Sequence, residues 1–184
     1  MNFNKHSDLA GTHAFLGASR SYWLNYDISK LRSMYEAYRA TERGTEYHNF
    51  AAQCIKLGQK LPRSKKTLNQ YVNDCIGFRM TPEQILYYSR FCYGTADAIS
   101  FRNNVLRISD YKSGSTPAKM EQILIYMALF CLEYHIDPST IKMEGRLYQS
   151  DEVQYHEPTA DEIFVIMKKI IEFDRELTSL TMEE

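Results

Sequence analysis

The chain carries almost no net charge. Its 22 lysines and arginines face 23 aspartates and glutamates, a formal balance of −1. That excludes the uniformly basic coat on which tight, charge-driven DNA wrapping depends. It has no long apolar run either. The longest, Ile123 to Leu132, is too short to span a bilayer. Met1 to Gly11 is polar and lacks the apolar core of a signal peptide, so a soluble, cytoplasmic protein with no membrane partner is expected. No C-x-x-C pair occurs. Cys54, Cys75, Cys92 and Cys131 each sit among apolar or aromatic neighbours. Such cysteines read as small buried hydrophobes in a reducing compartment, not as the convergent thiolates of a metal or iron–sulfur site. A G-x-x-x-x-G-K-[S/T] loop is missing, which excludes a fused ATPase motor. Internal repeats, linkers and low-complexity segments are missing as well.

What is present fits one globular domain of 184 residues. Hydrophobic residues make up 44% and charged residues 24%, enough for a single core and too apolar for disorder. Residues 18–26 read as a short helix with Ser19 near its cap. Thr41 precedes a helical stretch to Leu57, with Gly58 as its stop. Ser64 can cap a helix carrying Leu68, Tyr71, Val72, Cys75 and Ile76 on one face. Thr81-Pro82-Glu83-Gln84 has a capping-box pattern with proline at the first helical position, so a further short helix is expected there. Residues 90–101 and 105–111 then form a hairpin about Asn103-Asn104. A long helix over 118–134 follows, then two strands, 142–149 and 152–156, about Ser150-Asp151. Thr159 caps a final amphipathic helix to about Leu180. The order is that of an α/β domain with a central mixed sheet of about four strands flanked by helices.

Chemistry concentrates in Gly94-Thr-Ala-Asp97 and Asp110-Tyr111-Lys112. Alternate residues of a strand share a face, so Asp110 and Lys112 point the same way. The hairpin brings Asp97 onto the neighbouring strand, near enough to share a site with Asp110. Two carboxylates and a lysine suit phosphodiester hydrolysis. Hard carboxylate oxygens hold Mg²⁺ or Mn²⁺, the metal activates water, and the lysine offsets developing negative charge. Taken alone, the Asp-Tyr-Lys triplet reads first as a surface ion pair near a strand end; the strand end, the hairpin and the following helix together favour a site.

At these residues the sequence resembles the RecB-like branch of the PD-(D/E)xK nucleases, over roughly residues 12 to 178. Gly44-Thr45-Glu46-Tyr47-His48 looks like that family's G-T-x-x-H motif, and Gly94-x-x-Asp97 like its G-x-x-D. Ile108-Ser-Asp110-Tyr-Lys112-Ser-Gly114 looks like its D-Y-K-T-G strand end, and Gln122-x-x-x-Tyr126 like its Q-x-x-x-Y helix. Thr12 to Asn25 also resembles the start of phage-encoded members, where His13 has no assigned role. The resemblance implies a restriction-endonuclease-like core and a Mg²⁺- or Mn²⁺-dependent deoxyribonuclease, an exonuclease of phage recombination type. It implies that Asp97, Asp110, His48 and the Tyr111 carbonyl ligate metal. Lys112 positions the attacking water, and Gln122 and Tyr126 contact the substrate backbone or brace the catalytic strand. DNA is the implied substrate. A recombination or single-strand-annealing protein and further copies of the chain are implied partners, in the host cytoplasm if the chain is phage-encoded.

The chain departs from the family at two positions, with Ala96 in place of a proline and Ser113 in place of a threonine. It also lacks the iron–sulfur cysteines of some relatives, so no such cluster is expected. Read without the resemblance, His48 is an ordinary part-buried histidine, and Gln122 and Tyr126 are the polar edge of a core helix. A non-catalytic binding module or inhibitor subunit on the same fold is the alternative function, and an RNA-directed or structure-specific endonuclease a third. Charge is uneven along the chain. Lys56, Lys60, Arg63, Lys65 and Lys66 cluster, whereas Glu172, Asp174, Glu176, Glu183 and Glu184 weight the other end. The basic strip is a candidate guide for a nucleic-acid strand or simply a solvated loop.

Overall fold

The computed structural model describes residues 14–18 and 21–181. Thr12, His13, Ser19, Glu183 and Glu184 lie outside them. The chain divides into two compact units, Met1–Arg43 and Gly44–Glu184. In the first, a short 3-10 helix, Ser21–Asn25, lies within the expected short helix. Trp23 Nε1 donates to the Gly17 carbonyl at 3.0 Å. Helix α1, Ile28–Leu57, starts earlier than Thr41, because Asp27 caps it: Asp27 Oδ1 accepts from the Lys30 amide at 2.7 Å. Thr41 sits inside the helix and donates to the Ala37 carbonyl.

The second unit is built on a five-stranded mixed sheet flanked by helices. Its strands are β1 (Thr81–Ser89), β2 (Cys92–Arg102), β3 (Val105–Lys112), β4 (Lys142–Gln149) and β5 (Glu152–His156), in the spatial order β1-β2-β3-β4-β5. Neighbours are antiparallel except β3 and β4, which run parallel and are joined by α3, Glu121–Glu133. Asn103-Asn104 and Ser150-Asp151 all have positive φ, from 51° to 62°. Two successive left-handed residues are what tight hairpins require, and Asn and Asp tolerate them best.

The fifth strand is the correction. Thr81-Pro82-Glu83-Gln84 opens β1 and not a helix. The following Ile85-Leu86-Tyr87-Tyr88 is strand-forming. Leu86 is fully buried between exposed Ile85 and Tyr87, the period of two that a helix cannot give. Pairing with β2 overrides the local capping signal. Ser64 likewise is no helix cap. Its Oγ accepts from the Lys66 amide, and Lys66 takes the cap position of α2, Thr67–Gly77.

Two cores sandwich the sheet. On one face α3 and α4 (Ala160–Leu180) cover Leu86, Ala96, Ile99, Leu106, Ile108 and Leu147. On the other, α2 and the end of α1 cover Ala98, Tyr111 and Tyr148 with Ala51, Cys54, Ile55, Tyr71, Val72 and Cys75. Thr159 caps α4 with a complete capping box to Glu162, as the sequence pattern predicts. Among the described residues no helix is long and apolar enough to cross a membrane.

Candidate metal centre

Three carboxylates fall in one row across β1, β2 and β3. Pro82 pairs with Ala98 and Gln84 with Ala96, so Glu83 stands opposite Asp97. Ala98 pairs with Ser109, so one step further Asp97 stands opposite Asp110. Both ladders break at this row. Glu83 has a φ of +52°, and the face alternation of β2 slips: Ala96 and Ile99 enter the α3 core, whereas Ala98 enters the α2 core. Asp97 Oδ2 fills the gap by accepting the Tyr111 amide at 2.9 Å. Like charges directly opposite on neighbouring strands repel, and backbone strain concentrates at functional sites.

His48 joins this row from α1. Its Nδ1 lies 3.3 Å from Asp97 Oδ2. One ligand atom each from His48, Glu83 and Asp97 lie within 4.8 Å of one another. The contact with Asp97 raises the His48 pKa against the opposing effect of burial. Burial, and then the charge of Asp97, raise Glu83. Gly44, one turn before His48, lets the helix approach the end of β3. A Cβ there would stand 3.2 Å from Ser113 Oγ.

Asp110 is the most enclosed of the three acids, at 1% exposure. Burial first, then Asp97, push its carboxyl up to about 6. Lys112 Nζ donates to Oδ1 at 3.0 Å. It also lies 2.9 Å from Oδ2, but that oxygen is buried and carries no hydrogen bond among the described residues. Asp110, on the strand next to Asp97, adds a carboxylate to a group whose three ligand atoms, from His48, Glu83 and Asp97, fit a hard divalent cation. His48, Glu83, Asp97 and Asp110 are the residues that could hold it.

The remaining candidates divide. Tyr126 is buried, and Gln122 Nε2 donates to its hydroxyl at 3.1 Å. Burial raises the Tyr126 pKa, and the charges of Asp97 and Asp110 raise it further, so the hydroxyl belongs to the site's surroundings. Its ring packs on the backbone of Gly94, where a Cβ would stand 3.0 Å from Cε1. That contact explains why glycine precedes Asp97 by three residues. The Tyr111 amide serves Asp97, and its ring is buried 5.8 Å from that of Tyr71. Lys60, Arg63, Lys65 and Lys66 are exposed on the α1–α2 loop. There Lys60 and Arg63 line a cleft of about 380 Å³ with Gln70, Asn73 and Asp74. Lys56, exposed on α1, acts on Glu83 after His48: the charges of both oppose the rise in its pKa.

Two contributors escape the sequence reading. Glu83 is hidden by its capping-box disguise; only its place three residues before a buried leucine in an alternating run could have revealed a strand. Gln149, at the end of β4, has an amide that donates to the carbonyls of Gly114 and Thr116 at 2.6 and 2.8 Å, and its Oε1 accepts the Ala118 amide. It ties down the segment between Lys112 and α3. Nothing in the sequence marks it. The four cysteines are free and split between the two cores: Cys54 and Cys75 on one face of the sheet, Cys131 and half-buried Cys92 on the other. The chain matches no protein-family model, no curated protein and no solved structure.

Proposed function

We propose that the protein is a divalent-metal-dependent DNA nuclease of the RecB-like PD-(D/E)xK type, acting as an exonuclease. One observation carries the reading: Glu83, Asp97 and Asp110 form a row of acids across three adjacent strands, with His48 beside it and Lys112 bonded to the innermost acid. Such a row is costly without a cation and productive with one. Bound Mg²⁺ or Mn²⁺ supplies Lewis acidity to the phosphoryl oxygen and a water of lowered pKa. The residues do the rest. His48, Glu83, Asp97 and Asp110 form the anionic cradle. Lys112, a three-donor ammonium one strand position past Tyr111, orients the attacking water and offsets charge on the phosphoryl oxygens as they become more negative. Tyr126 and Gln122 stand at the wall of the cradle as hydrogen-bonding groups for the substrate backbone. Lys56 and the Lys60–Lys66 loop supply local positive charge that the overall balance of −1 conceals.

The Lys112–Asp110 ion pair also gives the alternative its footing. A lysine that already neutralises the buried acid is compatible with a non-catalytic binding module that needs no metal. End-labelled linear and circular DNA, incubated with Mg²⁺ or Mn²⁺, separates the two. Loss of linear but not circular DNA, abolished in Asp110→Ala and Lys112→Ala, is the expected result. Equal inertness of parent and variants would leave the binding module.

A further inference from the structure

We infer that the outer end of the β1–β2 ribbon is a base-stacking platform that selects unpaired nucleic acid for the cleft; the inference rests on the nuclease reading and deepens it. From the carboxylate row outward, the ladder runs Glu83 opposite Asp97, Ile85↔Thr95, then Tyr87↔Tyr93. Leu86 and Ala96 enter the α3 core, so Ile85, Tyr87, Tyr93 and Thr95 share the opposite face. That is the face from which His48 reaches Asp97, because its neighbours on α1 pack into the α2 core. Here, however, the ribbon runs past the helices. Ile85 is 57% exposed, Tyr87 50% and Tyr93 64%. The two tyrosine rings stack with centroids 6.2 Å apart and planes 29° from parallel.

Three features point to bases as the occupant. The pair lies four residues along β2 from Asp97, about 13 Å at strand rise. That equals roughly four nucleotides at the 3.4 Å spacing of a stacked strand, so a strand on the platform reaches the carboxylates without a gap. Exposed aromatic faces on which bases stack hold single strands irrespective of sequence, and exposed Lys56 supplies a positive charge that reaches Glu83 at the inner end. The edge itself is closed to an added strand at this point, because the outward Tyr87 amide donates to Glu133 Oε2 at 2.8 Å. A protein β-strand would need that donor, whereas a stacked base does not.

The test is fluorescence anisotropy of labelled oligodeoxythymidine and of a duplex of equal length. Full chain carrying Lys112→Ala is used so that cutting does not interfere, with Mg²⁺ present. Adding Tyr87→Ala or Tyr93→Ala is expected to weaken single-strand binding by between about fivefold and 100-fold, the range one lost base stack spans. Tyr93→Phe restores it, and duplex binding changes little. Cleavage of single strands by the same tyrosine variants with Lys112 intact falls in parallel. Alanine variants that bind and cut single strands like the parent overturn the platform and leave the nuclease reading standing. A parent that neither binds nor cuts any DNA overturns both. If the variants instead change only the sedimentation of the protein, the patch joins copies of the chain and the platform is refuted.

Discussion

Replacing Asp110 by asparagine should stabilise the metal-free protein, although it removes an ion pair. Burial and Asp97 lift the Asp110 carboxyl from 3.8 to about 6, a shift of about 2 units, and at about 1.36 kcal/mol per unit the charged form costs up to roughly 3 kcal/mol. The sign follows from linkage. An acid whose pKa is raised on folding holds its proton more tightly in the native state, so stability falls as pH rises from about 4 to about 6 and is flat above that. At pH near 8 the parent therefore carries the whole cost, and Asp110→Asn carries none of it. Lys112 is 31% exposed, so water compensates part of its lost partner. For a chain of this length 1 kcal/mol moves the melting midpoint by about 2–4 °C. In EDTA the variant should melt several degrees above the parent at pH 8, by about half that margin at pH 5, and level with it only below about pH 4. Mn²⁺ at about 1,000 times its dissociation constant for the parent should close or reverse the gap at pH 8, since it adds about 4.1 kcal/mol to the protein that binds it and the variant lacks one member of the anionic row. Thermal melts of both proteins, with and without metal across that pH range, decide the matter. A variant less stable than the parent in EDTA at pH 8, with neither responding to Mn²⁺, would show that Asp110 serves a structural ion pair and would refute the metal centre.

Other outcomes follow from the same geometry. Glu83→Gln should raise the Mn²⁺ concentration for half-maximal cleavage by about 10-fold or more, because it removes one member of the anionic row; a metal titration of activity reads this directly. Gly94→Val should destabilise by about 1–3 kcal/mol, since the added side chain meets Tyr126; denaturant melts check it, and Tyr126→Ala in the same chain should recover part of the loss. Gln149→Ala breaks three hydrogen bonds to residues 114–118, so hydrogen exchange there should speed up. Turnover should fall while the melting midpoint moves by no more than about 1–3 kcal/mol allows.

The parts legible in the sequence are those whose signals are local and agree with the tertiary outcome. Thr159 with Glu162, Asn103-Asn104 and Ser150-Asp151 each state their own geometry, and the hairpin they imply puts Asp97 beside Asp110 without further information. The failures have a common cause. Thr81-Pro82-Glu83-Gln84 is a sound local helix start, but β2 offers it a ladder and two buried contacts, Pro82 and Leu86, and the long-range pairing wins. Mistaking that strand also hid Glu83. The helical pattern becomes visible only after Thr41, where the apolar stretch begins, while Asp27, which caps α1, precedes a polar one; the first turns of α1 bury almost nothing that a hydrophobic pattern could register. Gln149 is silent in sequence because its partners, residues 114–118, come from a different part of the chain.

The fold tolerates, without a cation, several costs that a cation would relieve. Glu83 and Asp97 are cross-strand neighbours, a placement that costs stability when both are charged. The fold then adds a left-handed Glu83 and an Asp110 carboxyl whose charged form is disfavoured by burial. Each could be relieved by a single substitution: glycine or asparagine at 83, asparagine at 110, any apolar residue at 97. A structural ion pair would need only Asp110 and Lys112 and would gain nothing from the other two acids. A binding surface for nucleic acid alone would be harmed by them, since phosphates are repelled by the same charge. A divalent cation placed among the carboxylates would offset their charge together, whereas His48, the cationic partner at hand, contacts Asp97. Lys112 cannot serve as that ion, because it already sits on Asp110.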